Sequence, residues 1–168
     1  MESSLGGRKM LQVASVRRKS DDQLADERPL SGTVVLRYDE RHLRRKAISL
    51  TNGIRVFIDL PDPVILTAED QLILDDGSII EIEAADELLY SVTTSDLDHL
   101  IELVWHIGNR HLPAEISQDR ILIARDHVIK DMLEGLGATV AEVVMPFNPV
   151  RGAYAGHHHD HNHNSPHT

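Results

Sequence analysis

Between Leu88 and Val144 the apolar residues change period four times, and a capping or breaking residue marks each change. Leu88 to Val92 has the pattern of a strand. Thr94 and Ser95 then offer side-chain caps, and Asp96 and Asp98 suit the positive end of a helix. Leu97, Leu100, Ile101, Val104 and Ile107 recur at helical spacing, Gly108 is a natural stop, and Pro113 prevents continuation. Ala114 to Ile116 and Arg120 to Ala124 are short strand patterns around Ser117-Gln118-Asp119. Asp126 can cap a second helix, with Val128, Ile129, Met132, Leu133 and Leu136 as its apolar face and Gly135 and Gly137 at its end. Thr139 to Val144 forms the last strand. The order β-α-β-β-α-β is the ferredoxin-like pattern.

The upstream half is built differently. Residues 10–16 form a strand pattern around Leu11, Val13 and Val16, and the charged stretch from Arg17 to Leu30 reads as a loop. Thr33 to Leu36 is a second strand, followed by the charged stretch Arg37 to Lys46 and then Ile48-Ser49-Leu50. Asn52-Gly53 signals a hairpin in which both central residues take positive φ. Ile54, Val56, Ile58 and Leu60 then alternate with more polar positions. A second hairpin joins Leu72-Ile73-Leu74 to Ile79-Ile80-Glu81-Ile82 through Asp75-Asp76-Gly77. The expected fold class is therefore α+β. A flexible N-terminus (1–9) leads into a small antiparallel β-domain (10–85). A ferredoxin-like domain (86–148) and a disordered histidine-rich tail (149–168) follow.

That tail carries the clearest chemistry. His157, His158, His159, His161, His163 and His167 fall within the last twelve residues. Neutral imidazole is the commonest protein ligand for borderline transition metals. With no cysteine in the chain, the ligand set is nitrogen-based, with Asp160 as an oxygen donor. An expression tag is usually an uninterrupted run behind a vector scar, whereas Asp160, Asn162 and Asn164 interrupt this one. A solvated tail without a role and a pH-responsive charge patch are the other bland alternatives. Affinity order alone favours copper, so cellular supply selects the metal.

The formal net charge of −10 argues against a nucleic-acid partner, which calls for a basic surface. No apolar stretch approaches the ~20 residues needed to span a bilayer. The first seven residues lack the apolar run of a signal peptide, and the missing cysteines fit a cytoplasmic chain. There is no Walker-A sequence, no GxSxG elbow and no HExxH, so no catalysis is expected.

Five more histidines lie upstream: His42, His99, His106, His111 and His127. His99 and His106 share a face of the first helix, and His111 follows the end of that helix. Helix C-termini carry partial negative charge and free carbonyls, which favour a cation. A lone histidine at a helix end is nevertheless more often a cap or a surface residue. One or two imidazoles per chain would need the tail or a second chain to complete a site, which makes a homodimer sharing a metal an economical arrangement.

The stretch Gly108-Asn109-Arg110-His111 followed by Pro113 resembles the core motif of the UreE family, urease accessory proteins that deliver nickel. Asp126-His127-Val128 with Asp131-Met132-Leu133, and Pro146-Phe147 with Gly152-Ala153-Tyr154 before the tail, are similar to the same family. The resemblance implies a cytoplasmic homodimer that binds Ni(II), and usually Zn(II) or Cu(II). His111 would be the principal ligand, one from each subunit. The tail histidines would add ligands and capacity. His127 and His106 fall where relatives carry histidines, although Arg125 stands where some relatives have a further one. The implied partners are the urease accessory GTPase and the urease apoprotein assembly complex. The alternative is a histidine-rich store that detoxifies nickel or zinc.

Overall fold

The structure, a computed structural model, describes residues 11–18 and 28–152. The expectations for residues 1–9, for most of the charged loop after Arg17 and for the six tail histidines lie outside the described residues. The fold is mixed α+β, mostly strands, with two sheets and two helices. Among the described residues no helix is long and apolar enough to cross a membrane.

The upstream sheet contains β1 (Leu11–Arg17), β2 (Leu30–Leu36), β3 (His42–Ser49), β4 (Arg55–Ile65), β5 (Gln71–Leu74) and β6 (Ile79–Ala84), in the order β2-β6-β5-β1-β4-β3. Its core is aliphatic, with Val56, Ile58, Leu72 and Ile80 fully buried. Two expectations are corrected here. The sheet is not purely antiparallel, since β1 pairs with β4 and β2 with β6 in parallel. Parallel partners need long connections, which a search for adjacent hairpins does not register. The charged stretch 37–46 is also not all connection. Its second half opens β3, an edge of the sheet on which Arg44, Arg45 and Lys46 lie exposed. Charge on an edge strand blocks further pairing.

Both hairpins form, with a different turn from the one expected. The amide of Gly53 donates to the Leu50 carbonyl and that of Leu50 to the Ile54 carbonyl, while Gly53 has positive φ and Asn52 does not. That is a three-residue loop with glycine in the left-handed position. Gly77 closes the second loop in the same way. Asn52 instead spends its amide group on Ser31: Nδ2 donates to the Ser31 carbonyl at 2.8 Å.

The downstream layer follows the expected β-α-β-β-α-β order: β7 (Asp86–Thr93), α1 (Leu97–Gly108), β8 (Ala114–Ile116), β9 (Ile121–Ala124), α2 (His127–Gly135) and β10 (Thr139–Pro146). The sheet order is β10-β7-β9-β8, antiparallel throughout. Both helices cover the face that carries Tyr90, Val92, Ile121 and Ile123. Asp96 caps α1 rather than Thr94 or Ser95, accepting from the His99 amide at 2.8 Å. Asp126 caps α2 as expected, accepting from the amides of Val128 and Ile129. His99 Nε2 lies 2.9 Å from the Leu136 carbonyl and ties the start of α1 to the end of α2.

Residues 147–152 form a strap across the seam between the sheets. Phe147 is buried against Leu89 and Leu122, and its ring meets Tyr38 edge-on. Arg41 is 1% exposed, and its guanidinium donates to the Phe147 carbonyl and to Asn148 Oδ1. The Asn148 amide donates to Glu115 Oε2 at 2.7 Å. Further along, Arg151 pairs with Asp70, which also accepts from Arg18 at 2.7 Å and from the Thr67 amide at 2.9 Å.

Burial pushes the Asp70 pKa up, but the hydrogen bonds from the Thr67 amide, Arg18 and Arg151 outweigh it and hold the group below the usual carboxylate range. A carboxyl depressed in the folded state stabilises above its unfolded pKa of about 3.9, and that stability is lost as pH falls through the lower folded value. Asp70→Asn should therefore flatten the acid limb of the stability curve below about pH 4. Urea unfolding at a series of pH values measures this, and an unchanged acid limb would refute the assignment.

Candidate functional site

The end of α1 is closed by a backbone motif that normally uses glycine. The Leu112 amide reaches the Ile107 carbonyl at 3.5 Å and the His111 amide reaches the Gly108 carbonyl at 2.9 Å. These are the two bonds of a Schellman ending, whose penultimate residue is left-handed. That residue is His111, with φ of 56°, the one non-glycine residue of positive φ among the described residues. Ile107 and Leu112 supply the apolar contact that accompanies the motif. The helix ends at Gly108, the stop that the sequence suggested, and the chain takes the left-handed turn three residues later.

A left-handed L-residue costs about 1–2 kcal/mol. Such strain persists where the surroundings over-determine it, and it clusters at functional sites. His111 is exposed and lines an open cleft of about 330 Å³ with Val104, Ile107, Pro113, Tyr38 and the strap residues Val150 and Arg151. Tyr38 belongs to the upstream half, so the cleft spans the seam.

The carbonyls at the end of α1 are not free, as a helix end would suggest. Trp105 O accepts from the Asn109 side chain at 3.0 Å, and His106 O accepts from Arg110 Nη1 at 2.9 Å. Ile107 O and Gly108 O accept from the amides described above. Asn109 and Arg110 of the Gly-Asn-Arg-His motif thus cap the helix, and the His111 side chain lies exposed beside them.

His106 is half-buried on α1, with Nε2 3.9 Å from Glu102 Oε1 and its ring edge-on to Trp105. His127 is the exposed first residue of α2. Ala114, three residues after His111, pairs with Ile123, four residues before His127. His111 and His127 therefore flank the same end of the sheet. No group of three or more His, Asp or Glu that could hold a metal is formed among the described residues. The second face of α1 was missed in the sequence. Leu100, Leu103 and Ile107 are buried, whereas Leu97, Ile101 and Trp105 are 59%, 59% and 65% exposed. Gly108 follows Trp105 by three residues on the same side of the helix, and an added Cβ there would meet nothing within 4 Å. The signal was present as Trp105, which continues Leu97 and Ile101 at a spacing of four.

Among the described residues, fold and site define a small α+β chain of two sheets that presents one strained imidazole at an open cleft, beside an exposed apolar helix face. Residues 15–85 match the model of the N-terminal domain of the UreE urease accessory protein, and residues 87–168 match that of its C-terminal domain. The urease accessory protein UreE of Mesorhizobium japonicum is 60% identical over 77% of this chain and 66% of its own length. UreE 1 of Brucella suis is 60% identical over 74% of this chain and 77% of its own. UreE of Brucella anthropi is 57% identical over 83% and 82%. The chain belongs to the UreE family of urease accessory proteins.

Replacing His111 with glycine removes both the strain and the ring. His111→Gly should raise unfolding stability by about 1 kcal/mol. Denaturant titration checks this. A loss of stability would show that the left-handed conformation carries no strain.

Proposed function

We propose that this chain is a nickel carrier for urease assembly, with His111 as its principal ligand and no catalytic step of its own. The observation that carries this is a strained imidazole at an open cleft, with no second ligand beside it among the described residues. A carrier must release what it holds, and an open, incomplete ligand set suits release better than a closed cage. The family's role as urease accessory proteins supports the destination. Nickel, with zinc or copper as competitors, follows from the family resemblance and the imidazole chemistry.

A second copy of the chain supplies the missing half of the site. Leu97, Ile101 and Trp105 form an apolar stripe that ends at Gly108, beside His111. Pairing two such stripes about a twofold axis buries them and brings two copies of His111 toward one metal. The tail histidines His157, His158, His159, His161, His163 and His167 then add donors and capacity. His127 and His106 serve as secondary ligands at the same end of the layer. The carrier works in the cytoplasm, handing nickel on with the urease accessory GTPase to the urease apoprotein. Six tail histidines also suit a store, in which the tail alone would bind.

Calorimetric nickel titration separates the two. In a full-length chain with its six tail histidines replaced by asparagine, a carrier keeps one tight nickel per two chains. His111→Ala abolishes that site, and Ile101→Glu dissociates the dimer and weakens it together. Affinity falls as pH drops through about 6.5, because imidazole binds metal only when neutral. Absence of any tight site once the tail histidines are replaced would establish the store instead.

A further inference from the structure

The six-stranded upstream sheet closes on itself. β2 and β3 stand at its two ends in strand order, yet the turn that leaves β3 returns to the outer edge of β2. The Thr51 amide donates to the Thr33 carbonyl at 2.8 Å, and Asn52 Nδ2 donates to the Ser31 carbonyl at 2.8 Å. Gly32 lies between the two acceptors, and a Cβ there would sit 2.8 Å from Asn52 Nδ2. An open sheet edge invites pairing with another chain. These two bonds seal the edge of β2, a strand on which Leu30 and Val35 are already exposed.

The residue that makes the seal is chemically labile. Asn52 is exposed and precedes an exposed glycine, Gly53, which has no side chain to hinder its nitrogen. In such a pair the glycine nitrogen gives its proton to solvent base and bonds to the asparagine Cγ. The Cγ–Nδ2 bond breaks and ammonia leaves. Water then opens the five-membered imide and leaves a carboxylate at position 52. The fold holds both reacting groups back: the Gly53 amide is donated to the Leu50 carbonyl at 2.9 Å, and the leaving nitrogen is held by Ser31. A third bond acts the other way. The Ile54 amide donates to Asn52 Oδ1 at 3.1 Å, where negative charge builds as the ring forms.

We infer that Asn52 is a deamidation site gated by the closure of the upstream sheet, and that its conversion holds the sheet open. Reaction waits until the turn lifts from β2 and frees the Gly53 nitrogen. An ionised carboxylate accepts hydrogen bonds and donates none. After conversion the Ser31 carbonyl has lost its donor and faces a negative oxygen, so a transient opening becomes permanent. Neither step involves His111.

Trypsin releases residues 47–55 as one peptide, in which Asn52 is the only asparagine. Mass spectrometry of that peptide follows the conversion in the full chain. In mildly alkaline buffer the folded chain should convert about tenfold more slowly, or slower still, than the same chain in concentrated urea, since two hydrogen bonds must open first. The rate should begin to climb at urea concentrations below the global unfolding transition, because the turn opens locally. Gly32→Ala, confirmed folded by circular dichroism, should speed conversion by pushing Asn52 off its acceptor. Asn52→Asp, which stands for the product, should let the Thr51 amide exchange with deuterium about tenfold faster. A rate that rises only with global unfolding, a folded Gly32→Ala chain that converts no faster, or an Asn52→Asp chain whose Thr51 amide exchanges as slowly as in the wild type would overturn the inference.

Discussion

One buried guanidinium holds the two sheets together. Arg41 follows the turn after β2, and its donors are spent on the Phe147 carbonyl and Asn148 Oδ1, residues more than a hundred positions away. Burial lowers its pKa, while the charges of Glu87 and Glu115 and the Tyr38 ring oxygen work in the opposite direction. A hydrogen bond to a charged group contributes roughly 1.5–3 kcal/mol, and removing one partner leaves the other buried and unsatisfied. The cleft at His111 depends on this seam. Tyr38 forms one wall from the upstream half, and the strap that Arg41 secures forms another. The strap is thus a structural part of the site, held on each side of the seam by a different kind of contact.

His111 breaks a local backbone rule, taking the left-handed conformation without being a glycine. Sequences violate their own backbone preferences mostly where function requires it. Glycine would end α1 at lower energy, yet the chain places an imidazole there and turns Asn109 and Arg110 inward on the helix carbonyls. The Gly-Asn-Arg-His motif is in this sense a helix cap with an imidazole in the position of its glycine. Strain at His111 and the apolar stripe beside it have the same physical character. Both cost the isolated chain free energy that a partner can return.

Much of this was legible in the sequence because local chemistry decides it. Asp126 announced α2, Gly77 announced its loop, and the alternation through Val56 and Ile58 announced β4. The parallel pairs β1·β4 and β2·β6 were not legible, since nothing local encodes which distant strand lies alongside. The burial of Arg41 and Asp70 was hidden for the same reason. Their partners, Asn148 and Arg151, lie far away in sequence and look like loop residues. The α1 stripe shows a subtler failure. Apolar residues cover both faces of that helix, so spacing alone could not say which face the sheet takes. His111 stood out as a residue type, while its left-handed backbone emerged only with the Schellman bonds.

The account turns on one metal being shared by two chains through His111. Native mass spectrometry of the full chain, given nickel below one equivalent per chain, tests that most directly. The account predicts that nickel enters as a single ion on a dimer, and that His111→Ala dimers lose that species. Nickel carried on monomers, or on dimers whether or not His111 is present, would contradict it.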